Sequence, residues 1–231
     1  MKKYLVSSIV AAALMFSLGT SAFAANGNES ATKNPNLELG KKVQNVQELE
    51  KIKNLDANNL EKIAEVLDNI EVSKDNPVVR HEFEDGSAIV VSINVTPTLT
   101  SKDQSLVTTS SVPTNTPYTA SVTMSGESVI TGGNMWVYTL NQTYKTDGSK
   151  ITWHEASPYG TFDKVWYSLW GVDSETLSVT DNPGYPGGIW ATGTVKLSWD
   201  IWEGSNIQPI NIKLTLSIKG DGTYTGYTAR L

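Results

Sequence analysis

The chain contains no cysteine, and this absence excludes disulfides, thiolate metal sites, thiol catalysis and lipid attachment through an N-terminal cysteine. It has only two histidines, too few for the usual Cys/His zinc sites. The calcium-loop pattern Asp-x-Asp-x-Asp-Gly and the catalytic patterns Gly-x-Ser-x-Gly and His-Glu-x-x-His are missing as well. The sequence therefore predicts no metal and no cofactor, and it identifies no catalytic residue.

Positive charge is also scarce, since 18 basic side chains stand against 24 acidic ones, for a net charge of −6. Nucleic acid and anionic lipid would be repelled by such a chain, so neither is expected as a non-specific partner. Long apolar runs are absent beyond the first residues, and a membrane-spanning helix needs about 20 apolar residues. We therefore expect no nucleic-acid partner and no stable membrane span.

Residues 1–24 have the pattern of a secretory signal peptide. Lys2 and Lys3 precede an apolar run that ends at Leu18, and Ala22-Phe23-Ala24 has the small residues of a cleavage site. The apolar run is too short for the alternative, a membrane anchor. We expect secretion with cleavage before Ala25, and loss of the two lysines changes the net charge from −6 to −8. Without disulfides, the secreted domain needs a large buried core.

The chain that follows is predicted to divide into four segments. Residues 25–45 are polar and aperiodic, as in a flexible leader. Residues 46–96 combine two short helices with a β-hairpin that turns at Asp85-Gly86, and Asp56 is expected to be the N-cap of the second helix. Residues 97–117 are rich in Ser, Thr and Pro, as in a linker. Residues 118–231 are predicted to be entirely β-structure.

Strand predictions within 118–231 come from alternation and from turn signals. Apolar and polar residues alternate from Val195 to Ile201 and from Ile210 to Ile218, which is typical of antiparallel strands with one buried face. The predicted strands are 118–125, 134–146, 149–155, 161–171, 175–180, 189–202, 209–219 and 223–230. Short turns between about eight strands predict an antiparallel β-sandwich, with a barrel as the alternative.

All seven tryptophans lie between residues 136 and 202. Trp199 is in phase with the apolar face and is expected in the core. Trp202 is out of phase, and Trp166 and Trp170 share one predicted strand face. Exposed aromatic rings can stack on the apolar faces of sugars. Trp166, Trp170 and Trp202 are therefore predicted to bind a ligand, the alternative being that they belong to the core.

Three functional hypotheses follow. The first is a secreted, non-enzymatic protein that binds an extracellular glycan or another cell-envelope component. The alternative is a processed precursor, in which cleavage within 97–117 releases an antagonistic or membrane-active β-domain from a pro-region. The third is a glycan-active hydrolase, which needs a carboxyl pair or a catalytic histidine. Its candidates are His154, Asp163, Asp173, Glu175, Asp200 and Glu203.

Overall fold

The computed structural model describes residues 46–68, 70–98, 116–165, 168, 170–199 and 209–231, which all belong to one compact unit, Pro35–Leu231. The predicted signal peptide and the predicted leader lie outside the described residues, as does the predicted linker apart from its two ends. Trp166 and Trp202 lie outside them too. For Val46 and Trp199, only the backbone is described.

Two short helices open the described chain, as predicted. α1 is Val46–Lys53, a 3-10 turn covers Asp56–Asn58, and α2 is Leu60–Leu67 with its apolar stripe buried. The expected N-cap was wrong. Asn59 caps α2 by accepting hydrogen bonds from two backbone N–H groups of the first turn, because it directly precedes the first helical residue. None of the helices in the described part of the chain has the length and apolarity needed to cross a bilayer.

The described strands form two sheets, and within each sheet every pair of neighbouring strands is antiparallel. One sheet has five strands in the order β1-β11-β10-β9-β8, and the other has six in the order β2-β3-β4-β5-β6, with β7 also paired to β5. The described strands therefore build the predicted β-sandwich rather than a closed barrel. The strands are β1 (Glu71–Ser73), β2 (Val78–Glu82), β3 (Ala88–Pro97), β4 (Tyr118–Ser128), β5 (Gly133–Thr146), β6 (Ile151–His154), β7 (Tyr159–Lys164), β8 (Trp170–Asp181), β9 (Ile189–Trp199), β10 (Ile210–Ile218) and β11 (Tyr224–Arg230).

One predicted strand, 161–171, was wrong. The chain leaves β7 at Lys164 and enters β8 at Trp170, and these two strands belong to different sheets. The residues of this stretch do have high β-propensity, but the chain passes from one sheet to the other between Lys164 and Trp170. The alternation of faces therefore cannot be extended through it.

Residues 46–96 contribute to both sheets. The β2–β3 hairpin turns at Gly86 with a φ of 78°, and β3 then pairs with β4 along its whole length. β1 pairs with β11 in the other sheet. Beyond the end of β3, the Thr98 N–H donates to the Pro117 carbonyl at 2.7 Å. The two ends of the predicted linker are therefore neighbours.

Asn58 connects the helical segment to both sheets. Its side chain is buried; Nδ2 donates to the carbonyl of Ile52 at 2.7 Å and to Sδ of Met135, on β5, at 3.4 Å. Its Oδ1 accepts from the indole Nε1 of Trp170, on β8, at 3.0 Å. The ring of Trp170 packs in turn against Trp136, with centroids 5.6 Å apart. The helices are thus anchored in the same core as the sandwich.

Candidate functional site

Trp170 is a core residue and does not stand on an exposed face. The prediction that its ring is exposed for ligand binding was therefore wrong. Its side chain is 1% exposed, and its indole is engaged by Asn58 and Trp136. The error arose because the phase of the predicted 161–171 strand was carried across the change of sheet. Trp166 and Trp202 lie outside the described residues, and ligand binding by them stays a prediction.

Two other tryptophans of the described chain are exposed. Trp153, on β6, is 46% exposed, and Trp190, on β9, is 36% exposed. Trp190 stands opposite Ser217 in the five-stranded sheet, on the face that looks away from the core. Trp153 belongs to the edge strand of the six-stranded sheet. Because Trp153 also lines a groove, the neighbourhood of β6 is the candidate functional site.

The groove has a volume of about 350 Å³ and lies between β6 and the end of the β8–β9 connection. Ile151 N–H donates to the carbonyl of Gly187 at 2.7 Å, so the six-stranded sheet is bonded directly to a loop of the other sheet. The residues that line the groove are Ile151, Thr152, Trp153, His154, Asp181, Gly187, Gly188 and Ile189. Both sheets therefore shape this site.

The loop on one side of the groove is held by Asn182, which is buried. Its Oδ1 accepts from the backbone of Gly184 at 2.9 Å, and its Nδ2 donates to Oγ of Ser217 at 2.8 Å. A Cβ on Gly188 would approach the carbonyl oxygen of Ile218 to 2.7 Å, so only glycine fits there without a backbone shift. These hydrogen bonds and the tight fit at Gly188 fix the shape of the loop.

Trp153 is oriented by its partner across the strand pair. It stands opposite Lys145 of β5, whose Nζ lies 5.6 Å from the centre of the indole ring. This distance is within the range of a cation–π contact. Directly opposed residues of an antiparallel pair lie on the same face, so the ring is braced by Lys145 while nearly half of it remains exposed to solvent.

His154 follows in the strand and occupies the opposite face, across from Tyr144. Its Nδ1 lies 2.8 Å from the carbonyl oxygen of Glu155, so an N–H at this position donates to the backbone. His154 and Asp181 both line the groove. Together with the hydroxyl of Thr152, they add hydrogen-bonding groups to a surface whose aromatic component is Trp153.

The predicted catalytic carboxylates do not converge on the groove. Asp173 accepts from Oγ of Ser198 and pairs with Lys196 at 3.5 Å, and Glu175 accepts from the hydroxyl of Tyr138. Neither lines the groove, where Asp181 is the carboxylate among the described lining residues. Asp163, on β7, does not line it either.

Asp200 and Glu203 lie outside the described residues. Glycoside hydrolysis ordinarily uses two carboxyl groups that flank one bond. Within the described ranges, no group of three or more His, Asp or Glu side chains is placed to hold a metal ion. The described groove combines one aromatic ring with mixed polar groups.

Two buried tyrosines of β5, Tyr138 and Tyr144, have raised pKa values. Burial raises the pKa of Tyr138 well above its usual range, and the hydrogen bond to Glu175 raises it further. Burial likewise raises the pKa of Tyr144, with smaller contributions from two neighbouring tyrosines. Both phenols remain protonated in the folded protein at neutral pH, so Tyr138 serves as a donor that joins the six-stranded sheet to β8.

Comparison with known proteins gives no relative from which a role could be transferred. No family model matches the chain, and no significant similarity was found to a curated protein or to a solved structure. The functional argument therefore depends on the geometry of the groove.

Proposed function

We propose that the chain is an exported, non-enzymatic binding protein and that a glycan binds in the groove, with Trp153 as its stacking surface. The signal-peptide pattern of residues 1–24 supports export. The observation that carries the binding proposal is the placement of Trp153, which is 46% exposed and lines a preformed groove among polar groups.

The chemistry of the groove suits a sugar. A sugar ring has an apolar face that stacks on an indole, and its hydroxyl groups need donors and acceptors at the rim. Thr152, His154 and Asp181 also line the groove and can provide such groups. The net charge of −8 that the exported chain would have after loss of Lys2 and Lys3 favours a neutral glycan over an anionic polymer, which the protein as a whole would repel.

The braced geometry of Trp153 also favours binding. Lys145 contacts the ring, and the edge of β6 is bonded to the Gly187 loop. A ring that is already held in place loses little conformational freedom when a ligand stacks on it, and such preorganisation strengthens binding. The same contacts fix the position of the Trp153 ring relative to the groove.

Isothermal titration calorimetry against soluble cell-wall and plant polysaccharides tests the proposal. We expect Trp153→Ala to weaken binding at least tenfold, about 1.4 kcal/mol, because the stacking surface is removed. Trp190→Ala is the matched control, since Trp190 is also an exposed strand tryptophan but does not line the groove. The proposal fails if the wild-type protein binds none of the polysaccharides, or if the two variants lose affinity equally.

A further inference from the structure

Resting on the proposed function, we infer that the binding surface extends from Trp153 along the edge of the six-stranded sheet to Tyr159, and that the ligand is an extended, neutral oligosaccharide of at least three sugar units. Tyr159 is 41% exposed and is the first residue of β7. No feature of the sequence distinguished it from the other tyrosines.

The first step is that Trp153 and Tyr159 lie along the same edge. β6 and β7 both pair with β5, whose other neighbour is β4. They therefore follow one another along the side of β5 that β4 leaves free. The connection between them is itself tied to β5, since Glu155 N–H donates to the carbonyl of Thr143 at 3.0 Å.

The second step is that the two rings lie on one face. Trp153 stands opposite Lys145, and Tyr159 stands opposite Asn141. These two β5 residues are an even number of positions apart, so their side chains point to the same side. The side chain of Leu140, which alternates with them, points toward the other sheet, where a Cβ on Gly193 would meet it at 2.8 Å. Both rings therefore lie on the outer face.

The third step concerns length. Lys145 and Asn141 are four positions apart on β5, which corresponds to about 13 Å at about 3.3 Å per residue. A six-membered sugar ring built from bonds of about 1.5 Å is about 3 Å across, and the oxygens at its two ends lengthen each unit to on the order of 5 Å. One sugar cannot contact both rings, whereas a linear chain of three or more units can. The spacing thus favours a chain over a monosaccharide.

The fourth step concerns charge along this edge. Lys145 lies beside Trp153, and Glu155 lies between the two rings in sequence and contributes to raising the pKa of Tyr159. A cation at one end and a carboxylate near the other do not form a patch of one sign. A neutral chain with hydroxyl groups along its length fits such a surface better than a uniformly charged polymer does.

Calorimetry with a length series, from the monosaccharide to the hexasaccharide of a glycan that the wild type binds, tests this extension. For the wild type, we expect affinity to rise with length and to level off above three or four units. Tyr159→Ala should lose about tenfold for chains of three or more units and nothing for the monosaccharide and disaccharide. Tyr159→Phe should retain the longer-chain affinity, because the ring remains.

Trp153→Ala should lose affinity at every length, and Trp190→Ala at none. The extension is overturned if affinity does not depend on length while Trp153 remains essential, or if Tyr159→Ala matches Trp190→Ala throughout the series. Absence of any glycan binding by the wild type overturns the proposed function and this extension together. Circular dichroism and thermal unfolding verify that each variant is folded.

Discussion

Replacement of Asn58 by alanine tests whether the helical segment and the sandwich form one cooperative unit. The substitution removes the acceptor that the structure provides for Trp170 Nε1 at 3.0 Å. It also removes the donor to the Ile52 carbonyl at 2.7 Å and the weak contact with Met135 Sδ at 3.4 Å. These contacts are buried and reach a helix and both sheets.

The magnitude follows from what remains after the substitution. The Ile52 carbonyl keeps a hydrogen bond from Leu55 N–H at 3.2 Å, so its loss is modest, about 0.5–1.5 kcal/mol. The buried indole N–H of Trp170 loses its Asn58 acceptor, which costs about 1–3 kcal/mol. Together these terms give about 1.5–4.5 kcal/mol, a large part of the 5–15 kcal/mol that stabilises a typical domain.

Urea unfolding, followed by circular dichroism and tryptophan fluorescence in parallel, measures this change. We expect both probes to shift together to lower urea, because Asn58 connects the helices to the β-core. Asn94→Ala is the control, since Asn94 is exposed on β3 and should change stability by less than about 0.5 kcal/mol. Equal midpoints for the two variants would refute the reasoning.

Two further predictions concern the core. Gly126→Ala should destabilise the fold by about 1–3 kcal/mol, because its Cβ would lie 2.4 Å from Nε1 of the buried Trp136. Gly184→Ala is the control and should be nearly neutral, because its nearest contact would be 3.5 Å away. Equal urea midpoints for the two variants would contradict this prediction. The raised pKa values of Tyr138 and Tyr144 favour the neutral phenols in the fold, so their contribution is complete below pH 10 and is lost as pH rises above it. Stability should fall by about 1 kcal/mol per tyrosine between pH 10 and 11, and unfolding midpoints that do not change over this interval would argue against it.

The fold class was predictable because its signals are local. Alternation in the β9 and β10 sequences correctly placed Val195, Leu197, Ile210 and Ile212 on the buried face. The Asp85-Gly86 pair marked a turn correctly, since Gly86 has a left-handed backbone with a φ of 78°. Alternation along a strand and turn chemistry depend only on neighbouring residues, so both can be recognised directly in the sequence.

The candidate site was not predictable in the same way. The position of Trp170 depends on a change of sheet after Lys164, and no residue in that stretch marks where the chain crosses. Trp153 lies in a strand of four residues, too short to establish a phase from alternation. Its exposure results from the pairing of β6 with β5 and from the approach of the Gly187 loop, both of which depend on residues distant in sequence.

The pairing of β3 with β4 determines whether cleavage of the chain between these two strands can release the N-terminal segment. Ten residue pairs join these strands, from Ala88 with Glu127 to Pro97 with Tyr118, and β1 is paired independently with β11. A cut between residues 98 and 116 would create a two-chain protein whose fragments remain joined through both sheets. Liberation of residues 46–96 as a free peptide would instead require the sandwich to open.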